Sequence, residues 1–406
     1  MNQSERRKAE RNARKLLKSR RFFNQLLLAL KKDGLVGEEH TALVLFIVVV
    51  SRLLLRPLNA FVKARSSAGK NFLINKVLHL LPKHAIAEIT SISERAWNYM
   101  GTRLRHTVVY LQERNEAAGD VHPLRLLISE DKIIRRVTRW KDGKLSTKKY
   151  VAYGPVASIS TGTKQLEIDD QTRHISIFLD ESADQTRQIV KSYTRQIKGL
   201  SRQELRTWHV VQRLLERRMG IEITFPGWFD RVADWLFVDE LSVRRYYPAF
   251  IEACRTVCLI RSFQSRKSSR ATQLRVEFGD FAITALIFDR IFVDSLRLGK
   301  GVNESTRNLV DRLSAQMGKP VEAKDVAHAL RVSKDRAYRM LSNAAKAGVI
   351  KRTNEPEKGN LKLYIAVSPP RFVPDPKRLF RKLHLKETVR IFHPITGDEI
   401  VYRHEK

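Results

Sequence analysis

From residue 57 to residue 179, short apolar runs alternate with stretches of helical period. Pro57 to Lys63 reads as a strand, Asn71 to Leu81 as a helix, Ala85 to Thr90 as a strand and Ser93 to Met100 as a helix. Thr107 to Glu113 is a buried strand ending in an acid, and Leu124 to Glu130 is again helical. Two β-rich runs then flank Lys141-Asp142-Gly143-Lys144, and Asp-Gly between such runs predicts a hairpin over 132–153. Val156 to Thr161 and His174 to Leu179 read as two more strands. Strands alternating with helices in this way predict an α/β core.

The flanks read differently. Residues 1–33 predict one basic helix, solvated at its start and apolar in its second half at Phe22, Phe23, Leu26 and Leu30. The run Ala42 to Val50 continues through Ser51 and Arg52 to Leu55, too short and too soon interrupted to span a bilayer, so a buried helix is expected over 38–55. Residues 183–300 read as mostly helical, broken at Pro226-Gly227, and Gly299-Lys300-Gly301 marks a linker. A helix at 321–330, a turn at Val332-Ser333, a helix at 334–347 and a strand pair at 349–353 and 361–365 follow, in the order of a winged helix. A second hairpin is expected around Pro394 to Gly397.

Charge changes the picture most. Seventy-six Lys and Arg residues against 43 Asp and Glu give a net charge of +33, and a field of that sign concentrates polyanions. Nucleic acid is the partner expected; an anionic membrane surface and the ribosome are the competing ones. Cys254 and Cys258, four apart, are expected to pack as small apolar residues, since no Cys/His cluster supplies the four ligands of a structural zinc site. The N-terminus carries Glu5 and Glu10 among its bases and has no apolar core, so no secretory signal is read and a cytoplasmic location is expected.

Between the first strand and its helix lies Ala64-Arg65-Ser66-Ser67-Ala68-Gly69-Lys70-Asn71, a phosphate-binding loop with two exchanges. Gly69 and Lys70 stand where Gly-x4-Gly-Lys-Ser/Thr requires them, Ala64 replaces the first glycine, and Asn71 replaces the hydroxyl residue. Small residues ahead of Lys70 suit backbone approach to a phosphate. A lysine at a helix start on the surface is the plainer alternative.

Taken in order, these elements resemble an AAA+ ATPase of the clade that carries a hairpin before sensor 1, as in minichromosome-maintenance helicases and ATPases of mobile elements. The resemblance spans residues 36–255 and rests on Ser66 to Asn71, Tyr110-Leu111-Gln112-Glu113, the basic hairpin, the strand ending at Thr161 and Ser242 to Arg245. It implies a three-layer P-loop core with a helical lid, followed by the winged helix, binding ATP and Mg²⁺. Ser66, Ser67, Ala68, Gly69, Lys70 and Asn71 would hold nucleotide, with Asn71 and Glu113 toward the metal and Glu113 polarising the attacking water. In another register Glu113 serves the metal and Glu116 the water, because Gln112 stands where the metal-associated acid belongs and cannot ionise. Thr161, or Ser160, would be sensor 1 and Arg244 sensor 2. Arg173 would act on a neighbour's nucleotide, which implies a homo-oligomeric ring or filament.

In that family the hairpin grips DNA. Here Arg135, Arg136, Arg139, Trp140, Lys141 and Lys144 are the candidates, the cations for phosphates and Trp140 for an unpaired base. Lys334, Arg336 and Arg339 are the winged-helix candidates. The organisation expected is a basic helix at 1–35, the core at 36–182, lid and connector at 183–300, the winged helix at 301–368 and a tail with a hairpin at 369–406. The function implied is a helicase-like DNA-dependent ATPase of replication or mobile-element processing. Its rival is a non-hydrolysing DNA-binding or assembly factor built on a degenerate core, favoured by Ala64, Asn71 and Gln112.

Overall fold

The computed structural model describes residues 3–64, 69–89, 94–113, 121–141, 144–163, 166, 168–171, 173–194, 198–236, 243–265, 271–298, 309–310, 313–314, 319–346, 350–353, 362–366 and 371–404. The chain divides into two compact units, one of residues 1–291 with 373–406 and one of residues 292–372. Among the described residues no helix is long and apolar enough to cross a membrane.

The strand-forming runs of the larger unit give β1 (Asn59–Lys63), β2 (Ile86–Ile89), β3 (Val108–Leu111), β4 (Lys132–Lys141), β5 (Lys144–Tyr153), β6 (Ala157–Gly162) and β7 (Ile175–Phe178). Five of them form one sheet in the order β2-β3-β6-β1-β7, and every pairing in it is parallel. The fold is thus mixed α/β around a parallel sheet. Its central strands are buried along their length, as a sheet covered on both faces requires. β4 and β5 stand apart as an antiparallel hairpin inserted between β3 and β6.

Helix Glu39–Ser51 is buried at every position from Thr41 onward and packs against β6 and helix Lys70–His79. A helix apolar all round belongs in a core, and here it sits there. Arg52 at its end is buried too. Its guanidinium donates to Glu216 Oε1 at 2.7 Å, Gln212 Oε1 at 3.0 Å and the Val49 carbonyl at 3.1 Å, and burial holds its pKa below the usual arginine value.

The single N-terminal helix expected over 1–33 is two helices, Gln3–Lys18 and Phe22–Lys32. They part where the Ser19 hydroxyl and carbonyl accept from the amides of Arg21 and Phe22 at 3.2 and 3.1 Å. Nor is the first helix wholly solvated: Ala9, Ala13 and Leu17 are buried, and it packs along helix Arg202–Glu216. Of the helix expected from Ser93 to Met100, Ser93 lies outside the described residues, Glu94–Trp97 is helical, and hydrogen-bonded turns then carry the chain to β3.

The C-terminal segment belongs to the larger unit. Helix Pro376–Lys382 and strands Val389–Phe392 and Glu399–Tyr402 place the Phe380 and Tyr402 rings 5.0 and 5.2 Å from Phe278. Cys254 and Cys258 are buried free thiols whose pKa values burial pushes up, in keeping with an apolar packing role.

The smaller unit pairs helices Ala323–Leu330 and Lys334–Lys346 with antiparallel strands Ile350–Thr353 and Leu363–Ala366. Val326, Ala337, Leu341, Ile350 and Tyr364 form its core. Arg331, with φ 53°, makes the left-handed turn between its two helices.

Candidate functional site

β1 and β6 lie side by side, yet their continuations part. From β1 the chain crosses to β2 at one edge of the sheet, and from β6 it crosses to β7 at the other. Neighbouring strands with diverging exits open a crevice outside their carboxyl ends, where open α/β sheets bind ligands. Lys70, Asn71, Gln112, Glu113 and Thr161 all lie at that end, after β1 and β3 and within the last turn of β6.

Gly69 caps helix Lys70–His79 with φ 83°, a conformation that glycine alone adopts freely, and a Cβ built on it meets no atom of the described residues within 4 Å. A helix start entered through a left-handed glycine, with Lys70 as the first helical residue, fits a phosphoryl group. The Lys70 ammonium donates to the Ala64 carbonyl at 2.7 Å. Ser66, Ser67 and Ala68 lie outside the described residues.

The next contacts explain the exchanged residues. Asn71 Oδ1 accepts from the Tyr110 phenol at 3.2 Å. Burial, with the charge of Glu88 added to it, pushes the Tyr110 phenol up to about 12, so it stays a donor at neutral pH. Gln112 Nε2 donates to Glu88 Oε1 at 2.5 Å, and Glu88 faces Tyr110 across the β2–β3 pairing. Glu88 is the acid that the sequence did not point out. Nothing linear links residue 88 to residue 112; the strand pairing does.

Glu113 is exposed just past β3. The Thr161 hydroxyl donates to the Gln112 carbonyl, which ties the end of β6 to the end of β3. Ser160, on the other face of β6, has a buried hydroxyl with no hydrogen-bond partner among the described residues. Asn71, Glu113 and Glu88 offer oxygen donors to a divalent cation. Mg²⁺ uses one or two protein carboxylates and keeps several waters, so this donor set fits it. No cluster of three His, Cys, Asp or Glu forms among the described residues.

Arg173 lies at the opposite end of the sheet. It precedes β7, donates from Nε to the Ser129 hydroxyl at 3.0 Å, and lines a cavity of about 440 Å³ with Arg56, Asn59, Tyr246 and Arg255. Beside it the buried Asp170 carboxylate takes a two-pronged hydrogen bond from Arg125, both arms 2.6 Å. Arg244 is exposed in the first turn of helix Val243–Arg261, whose next turn lines the same cavity. Arg173 therefore sits at the amino end of the sheet, away from Lys70.

The hairpin is rooted in the core and bare at its tip. Ile133 and Ala152 are paired and buried with Trp97, Val109, Leu111, Leu124 and Leu127. At the far end Trp140 pairs with Leu145, and they are 73% and 62% exposed. Arg136 and Lys149 pair on the same face, both exposed, while Arg135 pairs with Tyr150 on the other. Lys144 is exposed, and Arg139 and Lys141 are placed by register opposite Ser146 and Lys144. In the smaller unit Lys334, Arg336 and Arg339 are exposed on helix Lys334–Lys346.

No family model and no curated protein matches the chain. Among solved structures it resembles a presumed ATPase of Cytophaga hutchinsonii at 10% identity, over 68% of this chain and 86% of that one, with a TM-score of 0.40. The Aeropyrum pernix ORC1 protein in complex with DNA is similar at 13% identity, over 84% of this chain and 90% of that one, with a TM-score of 0.25. Drosophila ORC bound to DNA is similar at 12% identity, over 86% and 90%, with a TM-score of 0.27. Likeness this low carries no functional weight, and the site is read from the chain's own residues.

Proposed function

We propose that this chain is a DNA-dependent ATPase of AAA+ type, helicase-like, working in replication or mobile-element processing. The observation that supports the reading is that Lys70, Asn71, Glu113 and Thr161 all follow or end strands at the carboxyl side of the sheet, where its strand order has a topological switch point. Lys70 would leave the Ala64 carbonyl to bind the terminal phosphates of ATP, and Asn71 and Glu113 would face the metal. Mg²⁺, when bound, draws charge from the phosphates and holds them in line. Glu113, exposed and ionisable where Gln112 is not, would orient the attacking water. Arg173 lies at the wrong end of the sheet to serve its own site, which supports its acting on a neighbour's nucleotide in a ring or filament. DNA would lie along the hairpin, with the helices of residues 301–368 as a winged-helix second contact. A cytoplasmic location accords with this reading.

A second reading has its own support. Lys70, Asn71 and Gln112 are each engaged by another group of the chain, and a site so satisfied suits a non-hydrolysing DNA-binding or assembly factor. Steady-state ATP hydrolysis by the wild type and Lys70→Ala, with and without single- and double-stranded DNA, decides between them. DNA-stimulated turnover lost in the variant is the result expected. Turnover no higher than the variant's, from protein that still binds DNA, leaves the second reading standing.

A further inference from the structure

Helix Gln3–Lys18 carries two stripes on opposite sides. Ala9, Ala13 and Leu17, at i, i+4 and i+8, are buried along helix Arg202–Glu216. Arg7, Arg11, Lys15 and Lys18, offset from them by half a turn, are all exposed. They span twelve residues, a rise of about 16 Å along the helix.

The acids nearby are already taken. Glu5 pairs with Arg206 at 2.7 Å, and Glu10 pairs with Arg14 at 2.8 Å, with Arg217 3.9 Å away. Glu204 holds Lys32 at 2.6 Å. The side chains of Arg7, Arg11, Lys15 and Lys18 make no hydrogen bond or ion pair with any described residue. Arg7, Arg11 and Lys15 are successive i, i+4 neighbours of like charge, which repel one another and so favour a bound polyanion. A solvated face would ordinarily spread its acids among its bases; this one directs them all to other cations.

We infer that this outer face of helix Gln3–Lys18 is a docking surface for the phosphate backbone of DNA, bound without regard to sequence. The choice of DNA as the polyanion rests on the function proposed above; the surface itself depends on neither nucleotide nor hydrolysis. An anionic lipid surface fits less well, because a helix lying in a membrane buries its apolar face there, and this helix has already spent that face on the protein. The surface is separate from the hairpin, and its contribution adds to the hairpin's.

The test uses the full chain on a duplex of fixed length and mixed sequence, with affinity measured across a series of salt concentrations. For Arg7→Ala/Arg11→Ala/Lys15→Ala/Lys18→Ala, the slope of log affinity against log salt should fall by about 0.9 for each cation seated on a phosphate, toward about 3 to 4 in all. The charge-keeping Arg7→Lys/Arg11→Lys variant should retain the wild-type slope and guards against a folding defect, as does an unchanged thermal midpoint. Arg135→Ala/Arg136→Ala is run in parallel. A slope that falls only in this hairpin variant overturns the helix surface and leaves the DNA reading intact. No duplex binding by the wild type overturns both. Loss of binding to vesicles of anionic lipid, with the duplex slope unchanged, reassigns the face to a membrane.

Discussion

The core around Arg52 and the hairpin tip around Trp140 depart from ordinary burial in opposite directions. One encloses a cation at 0% exposure; the other leaves an indole 73% exposed. The cation's two terminal nitrogens are engaged by Glu216, Gln212 and a backbone carbonyl, and only its Nε is left without a partner among the described residues, so most of its cost is met by structure. The indole, facing only Leu145 across the strand pair, is met by nothing comparable. A charge hidden and satisfied serves the fold, and an apolar ring left bare among cations invites a partner.

That contrast can be broken by substitution. Arg52→Ala takes the guanidinium from the Glu216 carboxylate, which among the described residues keeps only the exposed His84 ring at 3.2 Å, and from the Gln212 amide, and should destabilise the chain by about 3–5 kcal/mol. Urea unfolding measures it, and a loss near zero would show the pair to be incidental. Trp140→Ala should leave that unfolding curve unmoved within about 0.5 kcal/mol. The same change should weaken binding of a single-stranded oligonucleotide by about 1–3 kcal/mol, as loss of a stacking platform does. Equal affinity for the variant and the wild type removes Trp140 from the interface.

Smaller effects sharpen the comparison. Arg135→Ala/Arg136→Ala should reduce the salt slope of DNA binding by about 1 to 2, alike on every sequence, without altering stability. An unchanged slope would mean that the hairpin does not hold the backbone. Tyr110→Phe removes the phenol from Asn71 and should cost about 0.5–1.5 kcal/mol of stability. It also frees Asn71 Oδ1, so nucleotide binding should become more responsive to Mg²⁺, which titration with and without the ion will reveal.

Much of the core was legible because apolar runs and turn residues are local signals. The strand ending at Lys63, the helix read from Asn71 and found one residue earlier, and the hairpin pairs around Asp142-Gly143 all follow from them. The break at Ser19 was hidden because Lys and Arg on both sides are good helix formers, and one serine is a weak stop. Ala9 and Ala13 were hidden as a buried stripe because alanine is unremarkable in either setting. At the site, Lys70 announced itself by its glycine and its place after a strand. Glu88 did not, since its meaning comes from pairing with another strand, and the location of Arg173 beyond the far end of the sheet was likewise a matter of topology.

The buried pairing of Arg125 with Asp170 has a mechanical consequence. Arg125 lies on helix Val121–Glu130, which leads into the foot of the hairpin, and the Asp170 carbonyl accepts from the Arg173 amide at 3.0 Å. Arg173 and the hairpin foot are thus fastened to a common pivot. Ten residues per strand make the hairpin an arm of about 34 Å, and a tilt of about 5° at its root carries the tip by about 3 Å, roughly the spacing of successive residues in a strand. A motion too slight to notice beside Arg173 would become, at Trp140, a full step.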